Sequence, residues 1–463
     1  MGTQRRGAVL TVTSLAVFMA FLDVTIVNIA FPAISRSFGS TSLADLSWVF
    51  SAYNVVFAVL LIPAGRAADL YGRRRVFVTG LGVFAVASLA CAVAPTAGLL
   101  VAARVLQAAA AALLVPASLA LLLPAFAPER RGTAIGTWGA MGGIAAATGP
   151  ALGGLLVDAF GWRAVFLINL PIVAVTLVVA LRVLVESRGE GAGLPDPLSV
   201  LLLGSGVALV SLGIVNGEGG AWGAPATLWP LLGGAALVAL FAWRSRRVPN
   251  PLVAPALFAI RPFSAAVLGY LVFSGGFYAL LLSNVLFMTE VWGYPTLLAG
   301  VAVTPGPILA ATGSTIGGRI SDRFGARLAI VPGGLLFALG CVLFATRVGP
   351  EPAYLAAFLP ATLLTGAGVG LVYSGLATAS VSRLPAAHFA TGSAVGTCAR
   401  QIGAVLGIAV LLSALAGAAE PATFRAGWLV MTATALLTVG CGLAVGRTRT
   451  AAPTPTPATL ETA

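Results

Sequence analysis

Apolar stretches long enough to cross a lipid bilayer recur along the whole chain, and this feature restricts the possible fold more than any other. A transmembrane helix needs about 20 apolar residues, and we predict fourteen such helices, bounded by charges, glycine and proline. Only 9% of the 463 residues are charged, whereas about a quarter are charged in soluble domains. A transmembrane β-barrel would show short segments of alternating polarity, which the sequence lacks. The chain is therefore predicted to be an all-α polytopic membrane protein.

The predicted helices follow one another with short connections. In chain order they occupy 8–33, 46–64, 76–94, 98–123, 133–157, 164–185, 198–216, 227–243, 263–288, 297–318, 328–346, 353–376, 387–414 and 426–446.

The charge distribution predicts the orientation of these helices. The net charge is +12, and every cation is arginine. We assign twenty arginines and seven acids to one side of the membrane, and four arginines and six acids to the other. Because arginine accumulates in cytoplasmic loops, both termini are predicted to be cytoplasmic. The positive charge then reflects membrane topology, and no nucleic-acid partner is expected.

Metal and nucleotide sites are not indicated by the sequence. The four cysteines lie in apolar stretches without metal-ligand spacing, and the chain has one histidine, His388. The phosphate-binding pattern G-x-x-x-x-G-K-[ST] does not occur. We therefore expect no cofactor.

An internal repeat links two distant parts of the chain. The segment GRAADLYGRR, which starts at Gly65, aligns with GRISDRFGAR, which starts at Gly318, at an offset of 253 residues. We interpret both segments as short cytoplasmic loops between helices. Asp69 is expected to pair with Arg73 or to accept hydrogen bonds from a neighbouring helix N-terminus, and so to join two helical bundles. The alternative is a solvated charged loop that serves topology alone.

These segments resemble the loop motif of the major facilitator superfamily, and other segments narrow the resemblance. LDVTIVNIAFP at 22–32 resembles the first-helix motif of the fourteen-helix drug:proton antiporters of the EmrB/QacA type. RVLQAAAAA from Arg104 resembles their fourth-helix motif, with Ala108 where the family usually has glycine. TGPALGG at 148–154 resembles the fifth-helix antiporter motif, with Ala145 in place of a glycine. Three more stretches also look like this family: NPLVAPALFAIRPF, GYPTLLAGVAVTP and RQIGAVLGIAV.

The resemblance covers nearly the whole chain and implies a major facilitator fold. That fold would contain two six-helix bundles and two inserted helices. The corresponding division is an N-terminal bundle at 1–188, two central helices at 189–250, a C-terminal bundle at 251–447 and a disordered cytoplasmic tail at 448–463.

Asp23 is an acid in a stretch apolar enough to lie in lipid, where ionisable residues are costly and commonly functional. We favour reversible protonation of Asp23. A structural hydrogen bond made as the neutral acid and pairing with a cationic substrate are the alternatives. The resemblance implies that Arg104 takes part in proton transfer by modulating a nearby acid, and the alternative is a structural hydrogen bond to backbone carbonyls.

Two further groups of residues receive roles from the resemblance. It implies conformational gating by Gly65, Asp69, Gly72, Arg73, Asp322 and Arg323. It implies a hinge-like antiporter element at Gly149, Pro150, Gly153 and Gly154, and ordinary small-residue packing is the alternative.

Polar and aromatic residues in apolar spans are candidates for lining a substrate cavity. Core packing or an interfacial belt is the alternative for each aromatic residue, simple interfacial exposure is the alternative for Glu290, and packing is the alternative for Arg400. The candidates are Asn28, Tyr53, Asn54, Gln107, Trp138, Tyr278, Asn284, Glu290, Tyr373 and Arg400.

The expected function is proton-coupled efflux of small hydrophobic compounds, such as drugs or antibiotics, across the bacterial cytoplasmic membrane by alternating access. The proton is the coupling ion, and the protein is expected to work as a monomer. Two intramembrane arginines beside one acid favour neutral or anionic substrates. A proton-coupled importer is the main alternative. A membrane-embedded enzyme would normally need clustered histidines or paired acids, and a sensor would normally carry a signalling domain.

Overall fold

The computed structural model describes residues 3–39, 43–189, 196–217, 223–249, 251–385, 388–415 and 420–446. Within these ranges the chain is helical and contains no β-strand. The α-helices are α1 (Thr3–Ser37), α2 (Leu43–Tyr71), α3 (Arg73–Val93), α4 (Ala97–Leu122), α5 (Arg131–Phe160), α6 (Ala164–Leu167), α7 (Asn169–Val183), α8 (Pro197–Gly217), α9 (Pro225–Ser245), α10 (Arg261–Leu286), α11 (Thr296–Val303), α12 (Pro305–Phe324), α13 (Arg327–Arg347), α14 (Leu359–Val381), α15 (Phe389–Leu415) and α16 (Pro421–Val445). Short 3₁₀ turns occupy Leu123–Ala125, Pro128–Arg130 and Pro255–Ala259, and π turns occupy Phe287–Val291 and Tyr354–Phe358.

Each predicted helical stretch overlaps with α-helix in the structure. Two of them are divided: only Ile168 separates α6 from α7, and only Thr304 separates α11 from α12. Among the described residues, ten helices are long and apolar enough to cross a membrane, or eleven if the bent α5 is taken as one span. The fold is thus all-helical as predicted, while the count of fourteen spans stays a prediction. The predicted tail at 448–463 lies outside the described residues.

The prediction that the two repeat segments are loops is wrong. Helix α2 continues to Tyr71 and helix α12 to Phe324, so most of each segment is helical. The chain reverses at Gly72, with φ of 115°, and at Gly325, with φ of 92°. Because L side chains rarely adopt such positive φ values, glycine suits both turns. The charged residues that suggested loops lie instead near the end of one helix or in the first turn of the next.

The helices pack as two halves with a pair of helices beside them. Helices α1 to α7 pack against one another, as do α10 to α16, and α8 packs on α9 and contacts α2 and α15. The halves meet where α5 packs on α12 and where α2 packs on α15. The domain boundaries inferred from the sequence stay a prediction.

One end of the molecule carries both repeat turns, and we call it the arginine-rich end. It is defined by the residues Arg73, Arg74, Arg75, Arg323 and Arg327.

Candidate functional site

Asp23 lies in the middle of a buried polar network inside the N-terminal half. Its side chain is 1% exposed. Arg104 Nη1 of α4 donates to Asp23 Oδ2 at 2.5 Å. Gln107 Nε2 of α4 donates to Asp23 Oδ1 at 2.8 Å, and Asn169 Nδ2 of α7 donates to the same oxygen at 2.9 Å. Helices α4 and α7, which are far apart in sequence, therefore both contact one carboxylate of α1.

Neighbouring helices fix the geometry of the donors. Arg104 Nε donates to the backbone carbonyl of Val49 in α2 at 3.1 Å, and its guanidinium carbon lies 4.1 Å from the centre of the Tyr53 ring. Gln107 accepts from Arg104 Nη1 through its amide oxygen at 2.6 Å and donates to Ser88 Oγ of α3 at 2.9 Å. Both predicted coupling residues, and the two candidates Tyr53 and Gln107, thus belong to one cluster that five helices share.

The arrangement of donors determines which form of the carboxyl group it accommodates. An ionised carboxylate only accepts hydrogen bonds, whereas a protonated carboxyl also donates one. Asp23 Oδ2 faces Arg104, and Asp23 Oδ1 faces two amide N–H groups. All three contacts are made by donors, so the network in the described conformation matches a carboxylate that only accepts hydrogen bonds.

Asn169 was not predicted from the sequence. This residue is fully buried, and its Oδ1 has no hydrogen-bond partner among the described residues. The available signal was weak: a single amide within the apolar stretch AVFLINLPIV. A buried acceptor without a partner is unusual, and here it lies beside the only carboxylate that the described residues place within the network.

Asp69 joins the two halves at the arginine-rich end. Its Oδ1 accepts from Arg73 Nη2 at 2.9 Å, and the pair is buried. Its Oδ2 accepts from the backbone N–H of Thr391 at 3.3 Å and from Thr391 Oγ1 at 3.1 Å. Thr391 lies in the first turn of α15, so both contacts expected from the sequence are present together. The gating role itself stays a prediction.

Asp322 makes the equivalent contact in the opposite direction. It accepts from the backbone N–H of Gly132 at 2.5 Å and of Thr133 at 2.6 Å, both in the first turn of α5. Each half therefore supplies a carboxylate to a helix N-terminus of the other, where the helix dipole favours negative charge. The two sites are not identical, because Arg73 corresponds to Ala326 in the repeat. Arg323 is exposed, with its guanidinium 5.1 Å from the Phe324 ring centre.

The first glycine of each repeat segment lies at the contact between the halves. A Cβ atom on Gly65 would lie 2.8 Å from the carbonyl oxygen of Ala390 in α15. A Cβ atom on Gly318 would lie 2.9 Å from the carbonyl carbon of Gly132 in α5, and closer still to its oxygen. Ordinary side-chain contacts begin near 3.4 Å. Only glycine allows the backbones of the two halves to approach this closely.

The turn at Gly72 is also bound to the segment that follows α7. The carboxylate of Glu186 accepts from the backbone N–H groups of Arg74 and Arg75, both at 3.1 Å. A Cβ atom on Gly72 would lie 2.7 Å from this carboxylate. The chain between α7 and α8 thus stabilises the N-terminus of α3.

Helix α5 presents glycines on two different faces. Gly149 and Gly153 pack on α1, where a Cβ on Gly149 would lie 2.7 Å from Thr25 Cβ, and a Cβ on Gly153 would lie 3.2 Å from Ile29 Cβ. Gly154 has open space around it. The two parts of α5, up to Gly149 and from residue 152, differ in direction by 45°. The side chain of Pro150, between them, lies outside the described residues.

The other face of α5 was not recognised from the sequence. Four glycines at helical spacing contact α12 of the other half, and the signal was the spacing of glycines in GTAIGTWGAMGG. They are Gly132, Gly136, Gly139 and Gly143.

A matching pair of glycines occurs in the C-terminal half. Gly403 and Gly407 of α15 pack against the backbone of α10 at Leu271 and Gly275, with a Cβ on Gly407 2.5 Å from the Gly275 carbonyl carbon. Their spacing equals that of Gly149 and Gly153, near the same repeat offset. The close approach of α5 to α1 is therefore repeated between α15 and α10.

The other cavity candidates are dispersed. Trp138 is half-buried and donates from Nε1 to Ser118 Oγ at 3.0 Å. Arg400 and Tyr373 lie together, with the guanidinium carbon 5.8 Å from the ring centre. The remaining candidates differ in exposure: Tyr278 is half-buried, Asn284 is buried, and Asn54 and Glu290 are exposed. The side chain of Asn28 lies outside the described residues, and the substrate role of the whole set stays a prediction.

The sequence matches the family model for the Major Facilitator Superfamily over residues 13–408. Multidrug resistance protein Stp of Mycobacterium tuberculosis is 35% identical over 409 residues, which cover 88% of this chain and 75% of Stp. Puromycin resistance protein pur8 of Streptomyces alboniger is 35% identical over 419 residues, which cover 89% of this chain and 82% of that protein. The methylenomycin A resistance protein of Bacillus subtilis is 32% identical over 417 residues, with coverage of 87% and 86%.

Solved structures show the same fold at low sequence identity. The crystal structure of the human organic anion transporter MFSD10 aligns with a TM-score of 0.68 and 17% identity, and covers 96% of this chain and 100% of that one. The proton:xylose symporter XylE aligns with a TM-score of 0.65 and 12% identity over 95% of each chain. The resemblance that the sequence motifs indicated is confirmed, and the chain belongs to the major facilitator superfamily of membrane transporters.

Proposed function

We propose that this protein exports small hydrophobic compounds from a bacterial cell in exchange for protons, by alternating access within one chain. The observation that carries the proposal is the burial of the Asp23 carboxylate among three donors at membrane depth. Ionisable residues inside membranes mark ion and substrate pathways. The two halves are in contact at the arginine-rich end, which provides the interface that alternating access must open.

The network suggests how proton binding is coupled to movement. In the described conformation the ionised carboxylate of Asp23 is held by Arg104, Gln107 and Asn169. Protonation would remove its charge and so weaken the charge-assisted hydrogen bond that joins Asp23 of α1 to Arg104 of α4. Arg104 then retains its interactions with Val49 and Tyr53. Loss of the proton restores the network, and substrate export would accompany this cycle.

The membrane arrangement belongs to the same proposal. Counting α6 with α7 and α11 with α12 as single spans gives fourteen spans, two of them being the central helices α8 and α9. The positive-inside rule places the arginine-rich end in the cytoplasm, with both termini on that side of the inner membrane. The glycine contacts between α5 and α12 would then close the cytoplasmic entrance.

The relatives favour export over import. Proteins named for multidrug, puromycin and methylenomycin A resistance are similar along most of this chain, and resistance is most simply conferred by outward transport. The driving force is sufficient, because one proton crossing 100 mV releases about 2.3 kcal/mol. At about 1.4 kcal/mol per factor of ten, this energy supports roughly a fifty-fold gradient of a neutral compound.

Asp23→Asn tests the coupling. The protein is reconstituted in liposomes with the arginine-rich end outside, puromycin or methylenomycin A is added outside, and the lumen is made acidic. Wild-type protein should accumulate the compound and release protons from the lumen, whereas Asp23→Asn should bind the compound without concentrating it. Asp196→Asn is the matched control, since Asp196 lies before α8 in an ion pair with Arg244 and should leave transport unchanged.

Two results would contradict the proposal. Proton-driven accumulation by Asp23→Asn at the wild-type rate would remove Asp23 from coupling. Accumulation only when the medium outside the liposomes, on the side of the arginine-rich end, is the more acidic would indicate the importer instead.

A further inference from the structure

Arg400 lies near the middle of α15, at the contact between the halves. Helix α15 begins at Phe389, beside the Asp69 contact at the arginine-rich end. Arg400 follows Phe389 by eleven residues, which corresponds to about 16 Å along a helix. The hydrocarbon core is about 30 Å thick, so with the arginine-rich end at the cytoplasmic surface, as proposed above, the side chain would originate close to the centre of the core.

The contacts of this guanidinium are aromatic. Its central carbon lies 4.9 Å from the ring centre of Phe21 in α1 and 5.8 Å from that of Tyr373 in α14. Phe21 belongs to the N-terminal half, and Tyr373 belongs to the C-terminal half. Tyr373 is held in place by a 2.9 Å hydrogen bond between its hydroxyl and Ser274 Oγ, and its ring stacks on Tyr270. The cation thus lies between aromatic faces on both sides of the interface.

Arg400 has no anionic partner in the described part of the chain. None of the four ion pairs found there includes it. Its Nε is buried without a hydrogen-bond partner. Arg104 is different, because its donors are taken by Asp23, Gln107 and a backbone carbonyl. A purely structural arginine would be expected to use its donors in the same way.

The charge balance at membrane depth points in the same direction. The Asp23 carboxylate is matched by Arg104, so Arg400 contributes a positive charge that no side chain among the described residues offsets. Charged groups inside membranes are normally paired. Guanidinium binds carboxylates through two parallel hydrogen bonds and also stacks on aromatic rings.

We propose that Arg400 binds the anionic group of planar aromatic substrates, with the substrate ring placed against Phe21 and Tyr373. This proposal rests on the proposed export function and specifies its substrate class: aromatic carboxylates and related phenolates. Because Phe21 and Tyr373 belong to different halves, a ligand at Arg400 contacts both of them.

Binding of a matched pair of ligands tests the substrate class independently of transport. The probes are anthraquinone-2-carboxylate and anthraquinone-2-carboxamide, which share the ring system and differ in charge. Dissociation constants are measured with the purified full-length protein in lipid nanodiscs. Wild-type protein should bind the carboxylate about tenfold more tightly than the amide, as expected for a hydrogen-bonded ion pair. Equal binding of the two probes by the wild-type protein overturns the proposal without any variant.

Variants identify the residue responsible. Arg400→Gln should reduce the preference to within about twofold, mainly by weakening binding of the carboxylate, and Arg400→Lys should retain part of the preference. Measurable binding of the amide shows that the variant is folded. A full preference for the carboxylate in Arg400→Gln would overturn the assignment.

The two proposals can fail separately. A carboxylate preference that depends on Arg400 in a wild-type protein without proton-driven transport would refute the export function alone. Proton-driven transport without a preference for the carboxylate would refute the substrate class alone.

Discussion

Replacing Gly318 with alanine should open the arginine-rich end. Gly318 lies on α12 with its Cα facing Gly132 and Gly136 of α5 in the other half. The added Cβ would lie 2.9 Å from the Gly132 carbonyl carbon and 3.1 Å from the Gly136 Cα. Backbone atoms on both sides of this contact cannot rotate away, so the halves must separate by several tenths of an ångström.

The energetic effect follows from the location of the clash. Overpacking a tight contact costs about 1–3 kcal/mol, and here the cost applies to the conformation in which α5 and α12 touch. A conformation in which the halves are separated at this end does not have this energetic cost. At about 1.4 kcal/mol per factor of ten, the equilibrium should shift towards the open end by roughly 5- to 150-fold.

Distances between spin labels measure this shift. Tyr71 and Phe324 lie on opposite halves at the arginine-rich end, and both are exposed. Cysteines introduced at these positions can be labelled selectively, since the four native cysteines are buried. Double electron–electron resonance should show a longer-distance population in Gly318→Ala that is minor in the Gly318 protein.

Gly313→Ala is the matched control on the same helix. A Cβ on Gly313 would lie 2.9 Å from the carbonyl oxygen of Ala367 in α14, within the C-terminal half. It should lower the thermal unfolding midpoint without changing the distance distribution. Identical distance distributions for Gly318→Ala and the unmodified protein would refute the reasoning.

Two further predictions concern carboxylates. Asp322→Asn should slow turnover and leave ligand affinity unchanged, since it weakens charge-assisted hydrogen bonds worth about 1.5–3 kcal/mol. Asp69→Asn should also slow turnover, and it should lower the unfolding midpoint more than Asp322→Asn does, because it removes the negative charge that pairs with the buried Arg73 guanidinium. Equal midpoints for the two variants would contradict this difference. Hydrogen bonds from Arg244 hold the pKa of Asp196 below its usual range. The stabilisation that this ion pair provides is therefore fully present above the unfolded-state pKa of about 3.9 and is lost as the pH falls through the folded pKa. The difference in unfolding midpoint between wild type and Asp196→Asn should be constant near neutral pH and shrink below about pH 4. An unchanged difference at pH 3 would argue against the ion pair.

The helices were predictable because a bilayer imposes a length on every apolar stretch. Their ends were less predictable. Around Asp69 the sequence shows charges and glycines, which are typical of loops, yet Asp69 lies on the last turn of α2 and the arginines after Gly72 lie on the first turn of α3. Asp69 and Arg73 are buried at the contact between the halves, and hydropathy alone does not distinguish such a contact from a loop in water.

The site was predictable one residue at a time. Asp23 and Arg104 each stood out as charges in apolar stretches. Their contact was not predictable, because 81 residues separate them in the sequence and no spacing rule relates positions so far apart. Asn169 did not stand out, because a single amide costs less in a membrane than a charge does. Its relation to Asp23 depends on how α7 packs against α1, which only the folded structure specifies.

The glycines of α5 illustrate the same limit. Their spacing indicates close packing, but it does not identify the partner helix. Gly136 faces the other half and Gly149 faces α1 of its own half. The first group can therefore affect the opening of the molecule, while the second affects the shape of one half.

The reciprocal contacts of Asp69 and Asp322 make closure of the arginine-rich end a bivalent interaction. Once Asp69 binds the first turn of α15, Asp322 and the first turn of α5 are held near each other, so the second contact forms at high effective concentration. Opening, conversely, requires both contacts to be broken at the same time, because a contact that breaks alone forms again while the other holds the halves together. Closure at this end should therefore be cooperative, with intermediates held by a single contact being short-lived.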